Sequence, residues 1–166
     1  MKILVTGGLG FIGSNLVKRL VKENNEIKLV IAGSGEEEIK LKEFIRKNGL
    51  DKNIILLGYV DNIYPYFKNC RGFILTSLWE DPGFVLLEAA YCRSLVLSSN
   101  SWPGPIELVK ENFNGFVFKS NDKESFLQKF KDFANNKNIK KLKINNLKMC
   151  KNFTLFNHYK SLNKLI

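Results

Sequence analysis

Two glutamates with seven residues between them, Glu80 and Glu88, flank Pro82-Gly83-Phe84-Val85 within the stretch Thr76–Ala90. A carboxylate accepts hydrogen bonds from two adjacent hydroxyls, the pair that a ribose presents. Gly83 leaves room for a ligand to approach the main chain. The unpaired N–H groups of a helix beginning at Phe84 suit a phosphate. Taken alone, the pair reads better as a loop charge and a solvent-facing helix residue. A second set with chemical potential is Thr6-Gly7-Gly8-Leu9-Gly10-Phe11-Ile12-Gly13. Gly7, Gly10 and Gly13 have the spacing that permits a tight turn, close approach to a pyrophosphate and close packing of helix on strand, with Gly8 inside the same turn.

Other reactive side chains carry less. Tyr64 and Lys68 have the Tyr-x-x-x-Lys spacing of a proton-transfer pair, but Pro65 interrupts it and a packed aromatic helix accounts for it. Glu107 follows Gly104-Pro105, either as a helix cap or as the border of a ligand pocket. Trp79 reads as core or pocket wall rather than a stacking platform. His158, the only histidine, sits in a C-terminal helical pattern and reads as helix surface or packing rather than catalysis. No Asp-x-Asp, histidine cluster or CxxC spacing predicts a metal.

These residues need a scaffold that alternates strand and helix. Short apolar runs at Lys2–Thr6, Ile27–Ala32, Asn53–Leu57, Gly72–Leu75, Ser94–Ser98 and Gly115–Phe118 read as buried strands. Between them lie helical patterns at Phe11–Val21, Glu36–Lys47, Ile63–Asn69, Phe84–Tyr91 and a turn at Ile106–Lys110. Lys123–Ala134 and two further C-terminal segments are also helical. Asn48-Gly49 is a helix-ending pair. The alternation implies an α/β fold, a Rossmann-like parallel sheet with helices on both faces, whose ligands bind beyond the carboxyl ends of the strands. In this reading Glu80 lies in a loop and Glu88 about one turn into the helix.

A chain of 166 residues that is 45% hydrophobic fits one globular domain. No apolar run approaches the roughly 20 residues of a membrane span, and Met1–Val5 lacks the pattern of a secretory signal. The three cysteines, Cys70, Cys92 and Cys150, form no disulfide framework, which suits a cytoplasmic protein. The net charge is +10, and no Asp or Glu occurs from Phe133 to Ile166. Such a stretch suits either an anionic membrane surface or plain solvation. No nucleic-acid motif accompanies it.

Two resemblances extend this reading. Met1–Leu20 resembles the start of an NAD-dependent epimerase or dehydratase, an extended short-chain dehydrogenase. The resemblance stops there, because the next strand ends in Ala32-Gly33 without the acidic residue that would hold the ribose. From about Ile27 to Ile166 the chain resembles the donor-binding, C-terminal domain of a GT-B glycosyltransferase of family 4. The residues that carry it, in order, are Lys28–Glu36, Ile55–Val60, Thr76–Ala90 with its Glu-x7-Glu pair, Ser98-Ser99-Asn100, Gly104–Glu107, Asn114–Phe118, and Asn152-Phe153-Thr154 to Tyr159.

That likeness implies a single GT-B half-domain spanning 1–166, with 1–26 epimerase-like and 27–166 binding a nucleotide sugar. It implies retaining transfer of a glycosyl group from a UDP- or GDP-linked sugar to an envelope glycan or lipid-linked acceptor, as in lipopolysaccharide or polysaccharide biosynthesis. It makes Glu88 the ribose ligand and Glu80 the catalytic residue facing the donor sugar. Gly33, Gly35, Gly58, Tyr59, Pro82, Gly83, Phe84 and Val85 complete the donor site, with Gly7, Gly8, Gly10 and Gly13 as a phosphate loop. No cofactor or metal is required; NAD is the alternative ligand, and an epimerase fragment or a silent nucleotide-binding module the alternative function. The family's Arg and Lys that balance the leaving diphosphate are absent from their usual segment, and Lys18 and Arg19 lie more than a turn down the helix. Partners implied are a separate acceptor-binding domain or protein and, at the inner face of the membrane, anionic lipid; nucleic acid is not among them.

Overall fold

The computed structural model describes residues 1–6, 17–18 and 27–163. Six strands form one parallel sheet: β1 (Lys2–Thr6), β2 (Lys28–Ala32), β3 (Ile54–Gly58), β4 (Gly72–Leu75), β6 (Leu95–Ser99) and β8 (Phe116–Phe118). Their spatial order is β3-β2-β1-β4-β6-β8. The register runs Ile3 opposite Leu29 on one side of β1 and Ile3 opposite Gly72 on the other. The epimerase-like strand β1 therefore lies inside the sheet.

Alternation along each strand explains how both faces are filled. Ile3 and Val5, Leu29 and Ile31, Leu95 and Leu97 pack into one core, together with Phe126, Phe130 and Phe133. Leu4, Val30, Phe73, Leu75 and Val96 point the other way and meet Phe67, Leu86 and Ala89. A strand buried on both faces must read as a continuous apolar run, which is what the sequence shows.

Helices α1 (Glu38–Lys47) and α5 (Lys123–Asn135) cover the first face, and α2 (Tyr64–Asn69), α3 (Phe84–Tyr91) and α4 (Gly104–Leu108) the second. Val17 and Lys18 are helical, and Val17 belongs to the first core. Helix α6 (Ile139–Cys150) spans the two, with Leu142 in the first core and Met149 against the second. Helix α7 (Leu155–Leu162) buries no residue. The Asn48-Gly49 stop holds: α1 ends at Lys47, and Gly49 has a φ of 62°.

Two helix starts differ from the sequence reading by two residues, and several strand limits by one. Helix α1 begins at Glu38 rather than Glu36, and α4 begins at Gly104 rather than Ile106. A second, two-stranded parallel ribbon was not foreseen: β5 (Trp79–Glu80) pairs with β7 (Trp102–Pro103). Glu80 thus lies in a short strand, not a free loop. Two residues are too few to show any periodicity, and the pairing is made between segments more than twenty positions apart.

Candidate functional site

The strand order reverses between β1 and β4, and crevices for ligands form there, beyond the carboxyl ends of a parallel sheet. Thr76, just past β4, donates its hydroxyl to the carbonyl of Thr6 at the end of β1, 3.4 Å away. The next residues build a hydrogen-bonded chain. Ser99 Oγ donates to the Ser77 carbonyl at 2.6 Å and lies 3.0 Å from Ser101 Oγ. A hydroxyl has one proton, so Ser101 is the donor in that second contact. Ser77 Oγ in turn donates to Glu80 Oε1 at 2.5 Å, a short charge-assisted bond that fixes the carboxylate.

Gly83 follows as the N-cap of α3, with a φ of 77° in the left-handed region that favours glycine. A Cβ there would stand 3.7 Å from Glu80 Cβ and 3.9 Å from Pro105 Cδ. Glu80, Gly83 and the start of α4 are therefore in contact. Gly104 is tighter still, since its Cβ would meet the Pro82 carbonyl oxygen at 2.1 Å. Helix α3 has no side-chain cap; Leu86 N–H donates to the Gly83 carbonyl at 2.9 Å, and no described partner takes the N–H groups of Phe84 and Val85. Phe84 is exposed, Pro82 is exposed and Val85 is half-buried.

Glu88 stands one turn along α3 from Phe84 and is half-buried. Burial pushes its carboxyl above the ordinary glutamate value. Gly33 and Gly58, at the ends of β2 and β3, are joined by Gly33 N–H donating to the Gly58 carbonyl at 2.7 Å. Gly35 accepts from Glu38 N at the start of α1, and Tyr59 is exposed. All these segments emerge at the same edge of the sheet.

Other sequence-singled residues fall elsewhere. Gly7, Gly8, Gly10, Gly13 and Arg19 lie outside the described residues. Lys18 holds its ammonium 5.7 Å over the Phe44 ring and so faces α1. Tyr64 and Lys68 line a cavity of about 860 Å³ with Tyr91, Cys92, Arg93 and Lys151, and neither Glu80 nor Glu88 borders it. Burial raises the Cys92 thiol there, with Lys68 opposing and Glu88 adding to the shift. Glu107 is exposed, and α4 has no side-chain cap. His158 is on the exposed surface of α7. Trp79 is 66% exposed, which corrects the core reading: the ribbon lifts it off the sheet. Ser77, Ser101 and Trp102 were given no role from sequence: the contacts that bring them together, Ser99 on the Ser77 carbonyl and Trp102 opposite Trp79, join separate loops. No helix among the described residues is long and apolar enough to cross a membrane.

A family model, glycosyl transferases group 1, matches residues 14–149. The chain belongs to this family. Among its relatives are the uncharacterized glycosyltransferase MJ1059 of Methanocaldococcus jannaschii, 34% identical over 97 residues, covering 58% of this chain and 24% of the relative. Another is the N-acetylgalactosamine-N,N'-diacetylbacillosaminyl-diphospho-undecaprenol 4-alpha-N-acetylgalactosaminyltransferase of Campylobacter jejuni. It is 26% identical over 126 residues, 76% of this chain and 34% of that protein. The chain thus spans about a quarter to a third of the curated relatives it matches. In fold it resembles the crystal structure of the pneumococcal O-GlcNAc transferase GtfA in complex with UDP and GlcNAc. The TM-score is 0.82 at 17% identity, over 99% of this chain and 35% of the other. The group 1 membership and this likeness bear out the GT-B half-domain expected from sequence.

Proposed function

We propose that this chain binds a nucleoside diphosphate sugar and serves in retaining transfer of its glycosyl group to a lipid-linked or envelope glycan. The observation that carries the reading is the Ser77–Glu80–Gly83 contact at the uncapped start of α3, with half-buried Glu88 one turn further on. Glu88 would accept from the ribose hydroxyls, and the first turn of α3 would meet the diphosphate. Glu80, held by Ser77, would face the donor sugar as the catalytic carboxylate. Gly33, Gly35, Gly58 and Tyr59 would border the base. Gly7, Gly8, Gly10 and Gly13 would complete the phosphate side, so that 1–26 and 27–166 act as one domain.

UDP is the first base to try, because the pneumococcal transferase was crystallised with it; GDP is the second. A lipid-linked acceptor is suggested by the Campylobacter relative, whose name specifies a diphospho-undecaprenol glycan. The acceptor half would come from a further domain or a partner protein. The place of action would be the cytoplasm at the inner membrane face, with the Lys-rich stretch beyond Phe133 resting on anionic lipid. Liposome pelleting without preference for anionic lipid would remove that last part.

Calorimetric titration with UDP, GDP and NAD tests the core of the reading. UDP or GDP should bind, and Glu88→Ala should weaken binding about tenfold, in keeping with loss of a charged hydrogen-bond acceptor. NAD binding alone would sink the proposal in favour of an epimerase-like module.

A further inference from the structure

Trp79 and Trp102 are Cα partners in the β5–β7 ribbon, and they are 66% and 69% exposed. Directly opposed residues of neighbouring strands stand about 5 Å apart and rise from the same face. Two indoles therefore sit side by side at the carboxyl edge of the sheet, each about two-thirds exposed. Large exposed aromatic surface of this kind marks a binding surface.

The charge around the pair narrows what can cover it. The protein carries +10 overall, yet no Lys or Arg occurs from Thr76 to Tyr91 or from Leu95 to Val109. Those two segments hold Trp79 and Trp102, and they also hold the exposed Asp81 and Glu107. An anionic lipid or phosphorylated polymer finds no cation on either segment, and Lys110, just beyond them, has its ammonium on the Ile106 carbonyl. A neutral sugar fits: its C–H face carries partial positive charge and lies on the negative face of an indole. Its hydroxyls can donate to the neighbouring carboxylates.

Strand alternation decides which sugar. Successive residues point to opposite faces, so Trp79 and Glu80 look in opposite directions. If Glu80 meets the donor sugar, the indoles face away from it. We propose that Trp79 and Trp102 form a saccharide platform, separate from the donor pocket, that stacks a pyranose ring of a neutral glycan. The proposal rests on the glycosyltransferase reading above, and it adds a saccharide site that the Glu-x7-Glu pair does not supply.

These are the only two tryptophans in the chain, so intrinsic tryptophan fluorescence reports on the platform alone. The 166-residue protein is titrated with maltotetraose, chitotetraose and, as the anionic counterpart, tetragalacturonate, each with and without UDP. At least one neutral tetrasaccharide should give a saturable blue shift, and tetragalacturonate none. Trp102→Ala should weaken that response at least tenfold, Trp102→Tyr should restore most of it, and UDP affinity measured by calorimetry should not change in either. Circular dichroism melts should be unchanged, since both side chains are exposed. A protein that binds UDP but gives no response to either neutral sugar overturns the platform and leaves the donor reading standing. A saccharide response without UDP or GDP binding supports the platform and overturns the donor reading. A Trp102→Ala protein that loses UDP and saccharide together overturns a platform separate from the donor pocket.

Discussion

Two polar clusters in this domain are built from similar residues and have opposite characters. In one, buried Asn114 donates to the Leu108 carbonyl at 2.8 Å and accepts from Lys110 N at 2.7 Å. Its neighbour Asn146, on α6, donates to the Ser94 carbonyl at 3.1 Å and is buried as well. These bonds run inward to main-chain atoms and tie α6 to the ends of α3 and α4. In the other, Ser101 and Ser99 hold the Ser77 main chain, and the Ser77 hydroxyl donates to Glu80, whose carboxylate is half-buried and has acceptor sites beyond the one Ser77 uses. The first cluster spends its hydrogen-bonding capacity on the fold. The second holds a charged group at the edge and keeps capacity for something else. Asn114 and Glu80 both fall in segments that resemble the family, and only their hydrogen-bond partners separate scaffold from candidate site.

That contrast can be broken by substitution. Asn114→Leu should cost about 2–3 kcal/mol, because it strands two main-chain groups in a largely buried place. Glu80→Gln should leave the melting temperature within about 1 °C, since a half-exposed carboxylate with one hydroxyl partner contributes little to folding. Thermal melts of the two variants side by side check this. Equal destabilisation would erase the distinction between the clusters.

A smaller effect sharpens it. Burial raises the carboxyl of Glu88, so the folded state holds that proton more tightly than the unfolded chain. The group's cost to stability is absent below the ordinary value of 4.5 and grows as pH rises through the raised one. Glu88→Gln removes this cost. Urea denaturation from pH 4 to 7 should find the variant equal to the parent at the acid end and more stable at the neutral end. Parallel profiles would mean that Glu88 is better solvated than its half-buried position implies.

Much of this architecture was legible because it is local. Strands such as Leu29–Ile31 and Leu95–Leu97 are apolar on both faces, and a run of that kind has few other homes. Helix α3 and its Gly83 start were legible from glycine and the apolar residues after it. The helix starts at Glu38 and Gly104 were missed by two residues each, as capping geometry depends on how the preceding loop is held. The core half of the Trp79 reading failed because a tryptophan in an apolar stretch is usually buried, and nothing local reveals a partner strand at Trp102.

The sequence by itself determined the parallel α/β sheet and the segments that carry the Glu-x7-Glu pair, because hydrophobic period and glycine placement act over a few residues. Tertiary structure decided the rest. It set Ser99 against the Ser77 carbonyl, brought Gly104 against the Pro82 main chain, and raised two tryptophans onto one exposed face. Each of those contacts joins loops that follow different strands, and only the order of strands in the sheet brings such loops together.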